Sequence, residues 1–410
     1  MSHDVIIVGA GLAGMSLALA LAAQRRRVLL LDARPAAPLP APAAQFGQRI
    51  YAISPASVAW LTQLKLWQAV DAARATPVYD MHIYGDSAGA WRLPSLVQGG
   101  SDSAPQGLHL SAYRAGVGEL CTIVEERELA RVFMQALSFA SGVEVLRPAG
   151  LVSLKTGSDA ATLTLADGRD VSAKLIVAAD GARSWLRGAA GIATDEIDYG
   201  HTAVVANFQT EKPHFNGAMQ WFRQEADGGS SVLAWLPLPG RQVSMVWSAP
   251  DALAAELLGL PPDPLAARVA DAGGHLFGAL SLAGAAASFP LCNQRARSLI
   301  AQRVALAGDA AHVMHPLAGQ GLNLGFGDCA ALARVLGGAR DPGDTLVLRR
   351  YERARKAALL EMHVVTHGLQ RLFAAQQPTV RTLRNLGLNL IGQLPVIPRL
   401  LVQRATRTFQ

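Results

Sequence analysis

The segment that most constrains the fold is the first, from Asp4 to Asp32. Two short, wholly apolar stretches, Val5–Val8 and Val28–Leu31, flank an Ala-rich apolar run. Short apolar stretches of this kind are typical of buried parallel strands, and the longer run between them predicts a helix. The order strand, helix, strand predicts a mixed α/β fold built on a parallel sheet.

Three glycines at the turn into this helix have the spacing G-x-G-x-x-G. Gly9 permits the tight turn, Gly11 lets a pyrophosphate approach the backbone, and Gly14 allows close helix–strand contact. The helix N-terminus favours phosphate charge, and Asp32 at the end of the second strand accepts ribose hydroxyls. The alternative is a glycine-rich turn in an unrelated fold. Because strand, helix, strand and acid occur in register, we interpret the segment as an adenine-dinucleotide site, with FAD and NAD both open.

Composition narrows the class of protein. Of the 410 residues, 50% are hydrophobic and 17% are charged, which predicts a folded chain of two or three domains. No uncharged apolar run reaches the roughly 18 residues that span a bilayer, and no signal peptide precedes the first strand. The three cysteines are widely spaced, without a disulfide framework or zinc spacing, so we expect a cytoplasmic protein.

The positive charge is concentrated at the C-terminal end. The net charge is +6, and no acidic residue follows Glu361, whereas six arginines do. The tail also carries the apolar stretches LGLNLIGQL and IPRLLV, a mixture typical of membrane-surface segments. A docking helix with solvated arginines is an equal alternative. No nucleic-acid motif accompanies the charge, so we expect no nucleic-acid partner.

Two further strand-to-loop elements follow. Leu175–Ala178 is an apolar strand that ends at Asp180 and Gly181, with Arg183 beside the loop; an ordinary turn is the alternative. Val304–Ala307 is a third such strand, ending at Gly308 and Asp309. Glycines 319, 321 and 325 then lead into a helix that we expect to begin at Phe326.

The third element also admits a metal site, because Asp309, His312 and His315 are three residues apart. Pro316 biases His315 toward extended backbone, so the three would not share one helical face. No second half-site is nearby. We therefore predict no metal here, and expect the two histidines to pack or form hydrogen bonds. In the favoured interpretation Asp309 holds a ribityl or ribose hydroxyl, and the loop cradles a cofactor.

The three elements, in this order, resemble the flavoprotein aromatic hydroxylases of the para-hydroxybenzoate hydroxylase fold, over about residues 4–360. The chain is still more similar to the ubiquinone-biosynthesis hydroxylases of the UbiH, UbiF and VisC type. The similar segments are HPLAGQGLNLG (His315–Gly325), RIYAIS (Arg49–Ser54) and YERARK (from Tyr351).

The resemblance implies FAD as the cofactor and assigns its contacts. The ADP half would be held by Gly9, Gly11, Gly14 and Asp32. Arg49 would lie along the flavin side, and Asp180, Gly181 and Arg183 would serve both FAD and the pyrophosphate of a transient NAD(P)H. The ribityl chain and the flavin ring would contact Gly308, Asp309, Pro316, Gly319, Gln320, Gly321, Leu322 and Asn323. His315, Pro316 and Gly319 would lie near the reacting flavin edge.

One departure from the family pattern concerns Glu126, because relatives often have Asn or Gln at this position. Its contact with the cofactor is therefore open, and Arg127 is the alternative.

The resemblance also predicts the domain organisation. A discontinuous Rossmann-like FAD-binding domain would comprise residues 1–76, 104–190 and 290–340. Residues 77–103 and 191–289 would form a substrate domain with an antiparallel sheet, followed by a helical region at 341–410. Alternation of apolar and polar residues supports the sheet, with Trp221, Trp235 and Trp247 on its strands. These tryptophans would either pack a core or line a substrate cavity.

The implied reaction is an aromatic hydroxylation. NAD(P)H or another donor would reduce FAD, O2 would form a flavin C4a-hydroperoxide, and a polyprenylated phenol of ubiquinone biosynthesis would receive one oxygen atom. No residue stands out as a general base. The alternatives are another flavoenzyme of this fold (a small-phenol hydroxylase, a halogenase or a prenyl reductase) and a non-catalytic FAD-binding partner.

The expected partners are the membrane surface and other ubiquinone-biosynthesis proteins. The expected location is the cytoplasm, at the periphery of the inner membrane. The sequence leaves open the ring position that is hydroxylated, the tail length and the oligomeric state.

Overall fold

The structure is a computed structural model that describes residues 3–35, 45–85, 108–225, 229–314 and 320–374, with the backbone alone from residue 361 onward. The helices, in chain order, are α1 (Leu12–Ala23), α2 (Pro55–Gln63), α3 (Ala112–Ala115), α4 (Glu126–Ser138), α5 (Trp185–Ala189), α6 (Asp251–Gly259), α7 (Pro262–Ala272), α8 (Gly321–Gly337) and α9 (Thr345–Ala374). The strands are β1 (Val5–Val8), β2 (Val28–Leu31), β3 (Ile50–Ile53), β4 (Ala75–Val78), β5 (Asp80–Tyr84), β6 (Leu108–Ser111), β7 (Cys121–Glu125), β8 (Val143–Leu146), β9 (Leu151–Thr156), β10 (Ala161–Leu165), β11 (Asp170–Ala173), β12 (Leu175–Ala178), β13 (Thr194–Thr210), β14 (Gly217–Gln224), β15 (Ser230–Leu238), β16 (Gln242–Pro250), β17 (Leu280–Leu282), β18 (Ala287–Ala296), β19 (Ile300–Ala301), β20 (Val304–Leu306) and β21 (His312–Val313).

A six-stranded sheet carries the glycine motif. Its order is β19-β20-β12-β1-β2-β8, and all its neighbours are parallel except β19 and β20. Strands β1, β2 and β12 have the predicted bounds and are fully buried, while β20 ends one residue earlier than predicted. The parallel sheet is confirmed, and the carboxyl ends of β20, β12 and β1 lie side by side.

A second, nine-stranded sheet has the order β21-β18-β13-β16-β15-β14-β5-β6, with β17 paired to β13. Its β13–β16 part is antiparallel, as predicted. Helices α6 and α7, which sequence periodicity did not reveal, cover one face, here called the outer face. Trp221, Trp235 and Trp247 pack there in a buried cluster. The three tryptophans therefore pack a core and do not line the opposite face.

The opposite face of this sheet, here called the inner face, looks toward β3. Successive side chains of a strand point to opposite faces of the sheet. On β14, β15 and β16, the residues directly before and after each outer-face tryptophan therefore point to the inner face. Met81 and Leu236 of this face, and Ile50 and Ala52 of β3, all pack against one buried cluster that includes Ala218 and Leu238. The rest of the inner face is mainly aliphatic, and several of its side chains stay partly exposed, among them Ile83, Val232, Ala234 and Val246.

Two three-stranded sheets, β11-β10-β9 and β3-β7-β4, complete the mixed α/β fold. No helix in the described ranges is both long and apolar enough to cross a membrane. The tail stretches discussed above lie outside the described residues.

The start of α8 differs from the sequence prediction. The helix begins at Gly321, five residues before Phe326, so Gly321 and Gly325, which were expected in the loop, are helical. A glycine costs a helix about 1 kcal/mol relative to alanine. That cost is offset because Gly325 lies directly against Gly308, where a Cβ would approach the Gly308 Cα to 3.3 Å.

Candidate functional site

The loops that follow β1 and β12 touch each other. Gly9 has a φ of +104°, and a Cβ placed on it would overlap the carbonyl of Ala179, just after β12. A Cβ on Gly14 would in turn overlap the carbonyl of Gly9. Both glycines are therefore required by close backbone packing, which joins the first motif to the second.

Gly11 is different, because no atom lies within 4 Å of the position its Cβ would take. It is the N-cap of α1, and neither a side-chain cap nor an acidic residue occupies the first turn. The free N–H groups and the positive end of the helix therefore face open space. This is the space a pyrophosphate requires, so the motif fits a dinucleotide.

Asp32 lies buried at the end of β2 and fastens the glycine loop. One oxygen accepts from the Ala10 N–H (2.9 Å), and the other accepts from the Arg34 N–H (2.9 Å) and guanidinium (3.1 Å). Burial raises the pKa of Asp32, but the hydrogen bonds from Arg34 and Ala10 outweigh it and leave the pKa lowered. The carboxylate is thus charged, and it shapes the loop as well as facing the predicted ribose position.

The second loop carries a polar atom without a partner. Asp180 Oδ2 accepts from the Leu186 N–H (3.1 Å), whereas Oδ1 is buried and has no hydrogen bond from the described residues. Gly181 has a φ of +86°, and Arg183 is exposed. A buried carboxylate oxygen without a partner requires a hydrogen-bond donor, and a hydroxyl group of a bound ligand is such a donor.

Arg187 of α5, to which the sequence assigned no role in the site, bridges two of the loops. Its guanidinium is buried and donates to the carbonyls of Ala182 (2.9 Å) and Ala310 (3.0 Å). The second and third elements are therefore held together by one side chain.

Asp309 is exposed to solvent, yet protein surrounds it closely enough for desolvation to raise its pKa. The charges of His312 and Arg49 partly oppose this rise. A carboxylate that solvent reaches from one side, and that protein surrounds on the other sides, lies on the floor of a cleft. The structure thus brings together Arg49 and Asp309, two predicted contacts 260 positions apart.

Arg49 also defines the far wall of this cleft. Its guanidinium lies 5.0 Å from the ring centroid of Phe289 on β18, and its Nη1 is 3.5 Å from Glu126 Oε1. Because the Arg49 side chain is 54% exposed and the Glu126 side chain 38%, solvent screens this ion pair and it contributes little stability by itself. Glu126 therefore faces the Arg49 side of the cleft.

Arg127 points elsewhere. It lines a cavity of about 330 Å³ together with Gln45, Phe46, Asn207 and Gly284, and none of the three glycine loops contributes to it. The Oδ1 atom of the buried Asn207 has no partner from the described residues. Arg127 thus does not take the place of Glu126 beside Arg49.

The side chain of Asn323, in the first turn of α8, forms hydrogen bonds to other residues of the protein. Its Oδ1 accepts from the Ser54 N–H (2.9 Å) and the Ser57 hydroxyl (2.6 Å), and its Nδ2 donates to the Ala52 carbonyl (2.8 Å). This side chain fixes the start of α2 relative to α8. Its backbone, and those of Gln320, Gly321 and Leu322, remain at the N-terminus of α8 beside the cleft.

A buried charge network, missed at the sequence level, holds the third loop. Asp328 in α8 accepts from the Gly308 N–H (2.9 Å), from His312 Nε2 (2.7 Å) and from Arg355 Nε of α9 (2.6 Å). Burial raises the pKa of Asp328, but His312 and Arg355 outweigh it, so the pKa is lowered. The prediction that His312 forms hydrogen bonds is confirmed. An Asp inside an apolar helix was the available signal, because unpaired acids are rarely buried.

Three predicted residues of the flavin edge, His315, Pro316 and Gly319, lie outside the described residues. Within the described ranges, no group of three or more His, Cys, Asp and Glu side chains is arranged as metal ligands.

Residues 2–366 match the model of a family described as FAD binding domain. The chain is 34% identical to ubiquinone hydroxylase UbiL of Rhodospirillum rubrum, covering 99% of this chain and 90% of the relative. It is 33% identical to 3-demethoxyubiquinol 3-hydroxylase of Escherichia coli (97% and 96%) and 30% identical to the mitochondrial ubiquinone biosynthesis monooxygenase COQ6 of Drosophila melanogaster (98% and 89%).

Solved structures share the fold at lower identity. p-Nitrophenol 4-monooxygenase PnpA of Pseudomonas putida superposes with a TM-score of 0.77 at 19% identity, covering 99% of this chain and 98% of that one. HpxO of Klebsiella pneumoniae, solved with FAD and uric acid, has a TM-score of 0.73 at 18% identity, with coverage of 99% and 96%.

Proposed function

The chain belongs to the FAD binding domain family and, within it, to the ubiquinone-biosynthesis hydroxylases, and from this premise we propose that it hydroxylates a polyprenylated phenol with O2. It is an FAD-dependent monooxygenase, and NAD(P)H is the proposed electron donor. The observation that carries the proposal is the meeting of three glycine- and aspartate-bearing loops at one edge of a parallel sheet, facing an aliphatic sheet wall.

The residues present fit FAD. The open N-terminus of α1 at Gly11 suits a pyrophosphate, and the unpaired Asp180 Oδ1 and the exposed Asp309 carboxylate suit cofactor hydroxyls. We propose that the remaining predicted contacts act as assigned from the resemblance, Asp32 and Arg49 included. When bound, FAD supplies the redox and oxygen chemistry, and the chain supplies placement, charge and exclusion of water.

The inner face of the nine-stranded sheet is the proposed substrate wall. Ile83, Val232, Ala234 and Val246 are aliphatic and only partly covered by protein, as a surface that receives an apolar ligand should be. Such a wall also keeps water from the reacting centre. A prenylated phenol therefore suits this wall better than a small charged aromatic does.

The domain division at 1–76, 104–190 and 290–340, with 77–103 and 191–289 as the substrate part, stays a prediction. Strands β6 and β18 both pair within the nine-stranded sheet across these boundaries. We further propose a location at the cytoplasmic periphery of the inner membrane, through the arginine-rich tail, together with other ubiquinone-biosynthesis proteins.

The test is oxygen incorporation. The FAD-loaded protein is given NAD(P)H, a short-chain prenylated phenol and ¹⁸O2, and the product is analysed by mass spectrometry. We expect one labelled oxygen atom per product and phenol-dependent consumption of reductant. A product with two added hydrogens indicates a prenyl reductase, a halogenated product a halogenase, and bound FAD without reductant consumption a non-catalytic protein. Each of these three results contradicts the proposal.

A further inference from the structure

Three aromatic side chains are exposed together at one corner of the nine-stranded sheet. Tyr113 is 93% exposed, Phe215 is 74% exposed and Tyr79 is 44% exposed. The Tyr79 N–H donates to the carbonyl of Asn216 (3.1 Å), and the Tyr79 carbonyl accepts from the Ala112 N–H (2.8 Å). Backbones bonded in this way lie about 5 Å apart, so the three side chains start within about 10 Å of one another. We call Tyr79, Tyr113 and Phe215 the aromatic corner.

The turn that presents Phe215 is held in an unfavourable conformation. Phe215 and Asn216 both have positive φ values, +49° and +57°, which bulky residues rarely adopt. The buried His214 maintains the turn, since its Nε2 donates to the carbonyls of Leu238 (2.8 Å) and Gly240 (3.0 Å) and its Nδ1 accepts from the Asn216 N–H (3.0 Å). Strain kept in place to expose an apolar ring points to a use for that ring.

Exposed basic residues flank the aromatic corner. Arg114 follows Tyr113, Lys212 lies three residues before Phe215, and Arg241 lies in the turn next to Gly240; all three are exposed. Acidic residues also lie beside it, but they are engaged: Glu211 Oε2 accepts from the Ala279 N–H (2.8 Å), and Asp80 Oδ1 pairs with His109 Nε2 (2.7 Å). Exposed Tyr and Phe flanked by Arg and Lys are typical of surfaces that sit at the interface of an anionic bilayer.

The aromatic corner is also close to the proposed substrate wall. Tyr79 immediately precedes β5, and Phe215 lies two residues before β14. The inner faces of these two strands carry Ile83 and Phe222, which pack together with Val232. A ligand that leaves the bilayer at the corner is therefore next to strands that lead along the aliphatic wall.

The exposed area favours a lipid surface over a protein partner. With about 200 Å² for each aromatic residue, the corner exposes roughly 400 Å² of ring-bearing side chain. A stable protein interface buries about 800 Å² on each partner, about twice as much. An area of this size suits partial insertion of a few side chains between headgroups.

We propose that the aromatic corner docks the protein onto the surface of an anionic lipid bilayer, with Phe215 and Tyr113 inserted and Arg114 and Lys212 against the headgroups. This inference rests on the proposed function, because a prenylated substrate is dissolved in the membrane. It adds a second membrane contact to the one proposed for the arginine-rich tail.

The test is co-sedimentation of the full-length, FAD-loaded protein with vesicles of phosphatidylcholine containing about 30% phosphatidylglycerol. The variant Tyr113→Ser/Phe215→Ser should bind about tenfold more weakly or worse, because it removes the inserted apolar area. The matched control is Phe139→Ser, an 81% exposed aromatic residue at the C-terminal end of α4, which should bind like the wild type. Arg114→Gln/Lys212→Gln should lose binding to the anionic vesicles and leave the weaker binding to pure phosphatidylcholine unchanged.

Thermal unfolding and FAD content of each variant establish that it is folded. The docking proposal is overturned if the aromatic variant sediments like the wild type, which would assign binding to another segment such as the tail. It is equally overturned if the wild type binds no vesicles, or self-associates instead. Oxidation of a water-soluble short-chain phenol without lipid reports on the proposed function alone. If the wild type does not oxidise this phenol, the proposed function fails, and the vesicle experiment still tests the docking proposal.

Discussion

The three glycines of the first motif have separate physical roles. Gly9 and Gly14 are needed because backbone atoms of Ala179 and Gly9 occupy the space of their missing Cβ atoms. Gly11 adjoins open space and has an extended backbone that any residue adopts. Gly9 and Gly14 therefore serve the fold, and we propose that Gly11 serves the ligand.

Gly14→Ala should lower the free energy of unfolding by about 2 kcal/mol or more, because its Cβ overlaps backbone that cannot yield cheaply. Gly11→Ala should leave stability within about 0.5 kcal/mol and weaken FAD binding by about tenfold, because the new methyl group enters the pyrophosphate space. Urea unfolding of the FAD-free protein and fluorescence titration with FAD measure the two effects. Equal losses of stability in both variants would refute this division of roles.

At the scale of elements, α8, α9 and the turn at Gly308 are joined through Asp328. The carboxylate is fully buried, as are its partners His312 and Arg355. When one partner is removed from a buried charge network, the remaining charges stay buried without compensation. The resulting loss in the free energy of unfolding is larger than the stability that the intact network contributes. Tyr351 adds a further tie between α9 and the sheet by donating to the Leu306 carbonyl (2.7 Å).

Asp328→Asn should therefore lower the free energy of unfolding by about 3 kcal/mol at neutral pH. The pKa of Asp328 is lowered in the folded protein, so its stabilising effect is present above the unfolded value of about 3.9 and is lost as the pH falls through the folded pKa. The difference between wild type and variant should accordingly shrink below about pH 4. Denaturant unfolding across pH measures it.

Asp167→Asn is the control for this prediction. Asp167 pairs with Arg169 in an exposed turn, where solvent screening leaves an ion pair little effect on stability. A loss in the control as large as in Asp328→Asn would show that the buried network has no special role.

At the scale of the whole molecule, the site lies between two layers that come from different parts of the chain. The parallel sheet supplies the loops, and the inner face of the nine-stranded sheet supplies the aliphatic wall. The small β3-β7-β4 sheet packs against the nine-stranded sheet through one buried cluster, formed by Val78, Cys121 and Ile123 with Ala218 and Leu238. We propose that the size of the space between the two layers sets which substrates enter.

Val246→Phe, in the middle of the inner face, should reduce phenol-dependent O2 consumption about tenfold without changing FAD affinity, because the larger side chain fills substrate space. Val152→Phe is the matched control, a 61% exposed valine on β9 in another sheet, and its activity should equal that of the wild type. Oxygen-electrode assays with a prenylated phenol measure both. Unchanged activity in Val246→Phe would remove the inner face from the substrate site.

Local patterns in the sequence were sufficient to predict the core strands and to predict that the cofactor is an adenine dinucleotide. The apolar strands at Val5, Val28 and Leu175 were predicted with their bounds, because burial on both faces leaves an unbroken apolar run. Helices α6 and α7 were missed, since nothing in their own composition shows that a sheet face nearby needs covering. The helical start of α8 was also missed, because glycines oppose helix locally and only contact with Gly308 compensates.

By itself the sequence determined three strand-to-loop units and an adenine-dinucleotide site, because glycine spacing, strand periodicity and terminal acids act over a few residues. The choice of FAD came from the resemblance to the flavoprotein hydroxylases. The tertiary structure alone decided which side chains meet. It turned the Asn323 amide toward Ser54, placed Arg187 between two loops and brought Asp328 to the Gly308 amide. Such contacts join residues far apart in the chain, and their geometry follows from how whole layers pack.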